Sequence, residues 1–426
     1  MTGSMKLGRL VVWALIVMAV VYLTVAGGGG FFGLYVGAFR VLSVGVAVVA
    51  IGVWLIWSTR HEQWRPRTAL WPAIVACLAA LVVSTLASAE PRFAYDYLAY
   101  SALLAGLYLL MQRLMADPFF RDRLSALGVL LGFGLSTLYI GAVFLHWVDF
   151  WRDLGRFSIP PLRPDFEGLA YGNPSTVATV CILLFLVTVA HVGLASRRQV
   201  AVVFSLGVLT ALVVFLTGSR GAWVGGALAA GVLIPCWMSS RANRMVARRL
   251  LARAGVRRAL SLGSLGLIGL TLAFLPAVVS RILEPASDTR LSFYEASIRM
   301  FLHKPITGLG PGTWVVERIH YTAAPASDYY IPHAHNIWLQ TLSELGLVGM
   351  MGGGVMAVAI GAMLLRAWRS DEPPRQLHAW AALTALVYLG AHQLFDFYPN
   401  MPAIGFCLAL LIARLDALDT NGRQPP

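Results

Sequence analysis

Val200-Ala201-Val202-Val203-Phe204-Ser205-Leu206-Gly207-Val208-Leu209-Thr210-Ala211-Leu212-Val213-Val214-Phe215-Leu216-Thr217 runs for eighteen residues without a charge. A bilayer core about 30 Å thick is crossed by about 20 apolar residues, within a range of about 17 to 25, so the stretch reads as one membrane crossing. Gly218-Ser219-Arg220 then leaves almost no loop before the next apolar run, 221–238. Carried outward, the same reading gives twelve runs: 10–26, 31–57, 69–89, 97–115, 124–147, 174–194, 200–217, 221–238, 259–279, 336–365, 379–395 and 401–417. Hydrophobic residues make up 58% of the 426 and charged residues 12%, about half the charged share of a soluble domain. The expectation is an all-α, polytopic membrane protein in a single integral domain, residues 1–426. A closed barrel is excluded, because barrel strands alternate and are far shorter.

The net charge of +13 does not point to nucleic acid, since in a membrane chain the placement of Lys and Arg sets topology before it suggests partners. With the N-terminus inside, 22 of the 33 fall in inner segments, ten fall outside, and Arg40 lies within a run. Twelve crossings with both termini on the cytoplasmic side satisfy that bias. The first run follows Met5-Lys6-Leu7-Gly8-Arg9 like a signal peptide, but no small-residue cleavage site leads into a soluble domain, so a retained helix is expected. Cys77, Cys181, Cys236 and Cys407 all fall inside runs, which argues against disulfides and thiolate metal sites. The seven arginines of 241–258 read as a topological anchor held by anionic lipid.

Two outer segments are long, 148–173 and 280–335, the latter between the ninth and tenth runs, and long polar segments on one face usually carry function. Within the larger one, Asp288-Thr289 reads as a cap for a helix over 289–303. Leu291, Tyr294, Ile298 and Phe301 recur there at helical spacing, as expected of an amphipathic helix on the membrane surface. Pro305 ends it, and Ile306-Thr307-Gly308-Leu309-Gly310-Pro311-Gly312 reads as a tight turn whose backbone can approach a ligand.

His333-Ala334-His335-Asn336 closes this segment. His335 lies where a helix begins, and the positive dipole end and unpaired N–H groups there oppose protonation. A neutral imidazole at that place can act as general base toward a hydroxyl; the plain alternative is a pair of loop histidines satisfied by backbone or water. His-X-His also occurs in metal sites, with Asp328 and Asp396 as distant further ligands, but no Asp or Cys cluster lies nearby in sequence. No metal and no cofactor are expected.

Arg220, in Thr217-Gly218-Ser219-Arg220-Gly221-Ala222-Trp223, breaks the inside bias, as do Arg290 and Arg299 on the surface helix. Arg163 adds another in the shorter loop. A guanidinium fork binds phosphate oxygens bidentately, so outer arginines beside a base suggest a lipid phosphate leaving group, with snorkelling as the alternative. His392, Gln393 and Asp396 either line the same cavity or satisfy one another. Glu344 lies nine residues into the helix after His335, about 13 Å deeper at 1.5 Å per residue, too far for direct contact.

Lys304-Pro305-Ile306-Thr307-Gly308-Leu309-Gly310-Pro311-Gly312, followed by His333-Ala334-His335-Asn336 and Glu344-Leu345-Gly346-Leu347-Val348-Gly349, resembles the O-antigen ligase and polymerase superfamily. Ser219-Arg220-Gly221-Ala222 and Gly172-Asn173-Pro174 fit the same pattern, so the resemblance covers roughly residues 160 to 350. It implies a metal-independent membrane glycosyltransferase of the glycosyltransferase C-like fold in the bacterial inner membrane, with its active site on the periplasmic side. The donor would be a glycan on undecaprenyl pyrophosphate and, in the ligase branch, the acceptor the lipid A core. His335 would be the catalytic histidine, with His333 beside it, while Arg220 and Arg290 would hold the pyrophosphate. Rival readings are a polymerase of carrier-linked repeat units in the same superfamily and a polysaccharide or lipid transporter. A transporter would show paired broken helices in both halves.

Overall fold

The computed structural model describes residues 37–60, 65–160, 162, 173–194, 196–239, 241–283, 288–322, 333–397 and 401–421. The described residues form helices: α1 Gly37–Arg60, α2 Trp71–Leu86, α3 Pro91–Ala116, α4 Pro118–Leu154, α5 Pro174–Val192, α6 Arg197–Leu216, α7 Arg220–Ser239, α8 Arg241–Ala252, α9 Ala254–Ala273, α10 Leu275–Leu283, α11 Asp288–His303, α12 Trp314–Glu317, α13 Ile337–Trp368, α14 Pro373–His392 and α15 Pro402–Asn421. Among them α3, α4, α5, α6, α9 and α13 are long and apolar enough to cross a membrane, and Val44–Ile56 and α2 are shorter apolar stretches. A multi-pass membrane protein is the plain reading of these six to eight helices. Twelve crossings go beyond them: the run 10–26 lies outside the described residues, and α15 carries Arg414, Asp416 and Asp419 in its last turns. The expected run 259–279 is in fact two helices, α9 and α10, which meet at Phe274. Pro276, at the start of α10, has no N–H to continue the ladder.

α5 is the centre of the bundle. Asn173 caps it by accepting from Ser175 N at 2.9 Å, with Pro174 in the first helical position, where its missing N–H costs nothing. Leu183, Leu184, Val187 and Cys181 are buried in one cluster with Val213 of α6 and Leu410 and Leu411 of α15. In lipid the hydrophobic effect does not drive such contacts; close packing over small residues does. A Cβ on Gly128 would stand 3.1 Å from Val187, and one on Gly132 2.9 Å from Leu206.

The bundle has two polar ends. At one, Arg366 of α13 donates twice to Asp419 of α15 at 2.9 Å, Ala69 N donates to Asp416 at 2.8 Å, and Ser125 meets His191 at 2.9 Å. At the other, α5 begins, α14 ends, and the histidine segment enters α13. Of the inner arginines of the sequence reading, Arg366 and Arg414 belong to the first end; of the outer ones, Arg220 and Arg290 belong to the second.

α13 is broken near its start. Gly346 takes φ 60°, ψ −156°, a conformation essentially reserved for glycine. The turn after α11 fills the gap: Leu309 N and Gly310 N donate to Ser343 O and Glu344 O at 3.0 and 2.9 Å, and Leu347 N and Val348 N donate to Pro305 O and Ile306 O at 2.9 and 3.0 Å. The end of α2 closes it from the far side, with Ser84 Oγ donating to Thr307 O and Glu344 O and Lys304 donating to Ala87 O. Irregular backbone at membrane depth survives only when buried and satisfied in this way. The Gly/Pro turn read as an approach to a ligand is therefore an approach to α13. Its close neighbours are the backbone of Glu344 and Leu345, which a Cβ on Gly308 would meet at 2.3 to 2.5 Å.

Candidate active site

The site grows from Asn336, whose side chain caps α13 by accepting from Trp338 N and Leu339 N at 3.0 and 3.1 Å. Its amide donates to Leu394 O at 3.2 Å, and Ile337 N donates to Gln393 O at 3.0 Å. The start of α13 is thus tied to the segment that follows α14. His335, one residue earlier, has φ 52° and is the one non-glycine residue of positive φ among the described residues. For an L-residue the left-handed region is costly, and strained backbone persists where the surroundings impose it. Here it turns the imidazole onto Asp396, with His335 Nδ1 3.5 Å from Asp396 Oδ1. Asp396 Oδ1 also accepts from Phe397 N at 2.9 Å.

His333 lies edge-on to His335, ring centroids 4.4 Å apart, and tilts over Phe397 at 5.3 Å. Between the two histidines, Ala334 N donates to Gln340 Oε1 at 2.7 Å. Gln340 Nε2 in turn donates to Glu344 Oε1 at 2.8 Å, and that atom also accepts from Trp314 N at 3.0 Å. Glu344 touches neither histidine, as the helix rise requires, but it anchors their segment through Gln340. Trp314 Nε1 continues the chain to Ser297 of α11 at 2.8 Å.

The electrostatics separate the two imidazoles from the carboxylate between them. Burial first, and the neighbouring His335 second, push His333 down to about 4. Burial alone would raise the Asp396 carboxyl, but His335, with His333 and His392 close by, holds it below the usual carboxylate range. Asp396 is therefore ionised and His333 neutral near neutrality. Among the described residues, the buried Nδ1 atoms of His333 and His335 have no well-aligned hydrogen-bond partner.

The outer arginines divide. Arg290 opens α11 half-buried, close enough for its charge to act on His333 and Tyr294. Arg220 opens α7 after a turn in which Thr217 Oγ1 donates to Val214 O and Ala222 N to Ser219 Oγ. Its neighbour Gly221 lies so near His392 that a Cβ would come within 2.4 Å of the ring. His392 Nδ1 meets Thr179 Oγ1 at 3.1 Å and Tyr388 Oη at 3.0 Å, and its charge reaches Asp396. Arg220, Arg290, His333 and His335 thus gather at one end of the bundle. Arg299, nine residues and about 180° around the helix from Arg290, pairs with Glu295 on the exposed side. Arg163 lies outside the described residues.

α11 has a second apolar face that the periodicity did not separate from the first. Leu291 and Ile298 are exposed, whereas Phe293, Ala296, Ser297 and Met300 are buried, Phe293 and Met300 in one cluster with Leu309, Trp314 and Ala334. Sequence reasoning also missed Gln340; the only available signal was its place one helical turn before Glu344.

Residues 205–353 match the Wzy_C family model, O-antigen ligase. A search of curated proteins finds no match. The matched stretch runs from α6 into α13 and includes Arg220, Arg290, both histidines, Glu344 and Gly346, while His392 and Asp396 lie beyond it. Over these 149 of its 426 residues the chain is similar to the O-antigen ligase and polymerase family, whose members are glycan-transfer enzymes.

Proposed function

We propose that the protein transfers an O-antigen glycan from undecaprenyl pyrophosphate to the lipid A core, at the periplasmic side of the bacterial inner membrane, with His335 as general base and no metal in the reaction. The observation that carries this reading is His335 itself, held in a left-handed conformation with Nδ1 3.5 Å from Asp396 at the end of the bundle where Arg220 and Arg290 lie. A carboxylate on the Nδ1 side favours the tautomer with its lone pair on Nε2. That nitrogen takes the proton of an acceptor hydroxyl as the oxygen attacks the anomeric carbon. The bond to the pyrophosphate breaks on the opposite face with inversion, and the electron pair leaves with the carrier lipid. Arg220 and Arg290 supply fixed positive charge where negative charge develops. His333, at about 4, is too weak a base near neutrality, since a useful one is poised near the working pH. Arg299, paired with Glu295 on the exposed side of α11, stands further from this chemistry.

The test is reconstitution with carrier-linked glycan and lipid A core. Glycan appearing on the core lipid is expected from the wild type, and a loss of about 10²- to 10³-fold from Arg220→Ala or Arg290→Ala. Extension of the carrier-linked glycan with the core lipid ignored would replace the ligase reading by the polymerase one.

A further inference from the structure

The sequence offered His-X-His with no third ligand close by, and the fold supplies it. His333, His335 and Asp396 each present one donor atom, all within 4.8 Å of one another, and they are the one such group among the described residues. A four-coordinate zinc with bonds near 2.0–2.1 Å has ligand-to-ligand edges of about 3.4 Å. The His335 to Asp396 edge already measures 3.5 Å, so only His333 has to close. Its ring lies against His335 and Phe397, with a donor atom within 4.8 Å of the other two.

A second observation points to a ligand. Among the described residues, His333 Nδ1 is buried without a hydrogen-bond partner, and His335 Nδ1 faces only the Asp396 carboxylate at 3.5 Å; an unpaired buried polar atom costs about 1–3 kcal/mol and calls for an occupant. Two imidazoles and one carboxylate form the donor set of open three-ligand zinc sites, and imidazole favours zinc, copper and cobalt over magnesium or calcium. Arg290 nearby is the opposing charge, and the carboxylate of Asp396 offsets it.

We infer that His333, His335 and Asp396 form a binding site for a divalent ion of the zinc class, and that the ion inhibits glycan transfer. The inhibitory half rests on the reading of His335 as the base. A neutral imidazole has one lone pair; with that pair on the metal, the other nitrogen carries hydrogen and accepts no proton from an acceptor hydroxyl. Metal and acceptor proton compete for the same electrons.

The probe is Co²⁺ added to the full-length, metal-stripped protein in detergent, read by its visible d–d absorption. Wild type is expected to give a four-coordinate spectrum that Zn²⁺ displaces, and His333→Ala and Asp396→Asn to bind at least about tenfold more weakly. Because either variant can fail to fold, wild type alone is also carbethoxylated with and without Zn²⁺. Protection is expected at His333 and His335 but not at exposed His303 and His320. Equal Co²⁺ binding by the variants, or no protection of the pair, overturns the site. Transfer that persists with the site saturated overturns the inhibition. A metal-free wild type that transfers no glycan overturns the functional reading and leaves the binding result standing.

Discussion

At the scale of single residues, two features of the histidine segment make opposite demands. The φ of 52° at His335 suits glycine better than any side chain, while the contact with Asp396 requires the ring. His335→Gly is therefore expected to be more stable than His335→Ala by up to about 1 kcal/mol, with both inactive; thermal unfolding of the pair checks this. His333 makes stability depend on pH. It is held at about 4 when folded against 6.5 for a free imidazole, so between those values the unfolded chain binds the extra proton. Its contribution is complete above about pH 6.5 and is lost as the pH falls toward 4, at most about 3 kcal/mol. Asp396 stays ionised through that window. The midpoint of thermal unfolding should fall between pH 7 and 4.5, and fall less in His333→Phe. Both histidines were legible in the sequence because a polar pair at the mouth of an apolar run is conspicuous. Asp396 was there only a distant candidate, because sixty residues with α13 and α14 intervene, and only the fold closes that distance.

At the scale of elements, the break in α13 decides how the site is held. Four backbone hydrogen bonds join the turn of Pro305–Gly310 to residues on either side of Gly346. A Cβ on Gly346 would stand 2.5 Å from Ile306 O and 2.6 Å from Gly308 N. Gly346→Ala is expected to cost more than about 3 kcal/mol. Gly353, on the same helix with nothing within 4 Å of its Cβ direction, should tolerate alanine and gain up to about 1 kcal/mol. Denaturant or thermal midpoints of the two variants check the contrast. The helices themselves were readable from apolar run length, but the break was not: in a span, glycine more often signals close packing than a turn. The inward face of α11 was hidden for a related reason. Phe293 and Met300 meet protein while Leu291 and Ile298 are exposed, and a helix apolar on both sides gives no single periodic stripe.

At the scale of the whole molecule, polar chemistry is sorted to the two ends of an apolar bundle. One end holds ion pairs such as Arg366 with Asp419; the other holds the histidines, Asp396 and the outer arginines. One-sided chemistry predicts that Arg220→Cys, Arg290→Cys and His335→Cys, introduced singly, react with an impermeant maleimide from the outer face alone. Reaction from both faces would mark a transport path. The central claim is that His335 rather than His333 takes the acceptor proton. Its most direct test is the initial rate of glycan transfer from undecaprenyl pyrophosphate to the lipid A core by reconstituted wild type, His335→Ala and His333→Ala. The account predicts that His335→Ala slows transfer by about 10²- to 10⁴-fold and that His333→Ala slows it less. Full transfer by His335→Ala, with transfer abolished in His333→Ala, would contradict it.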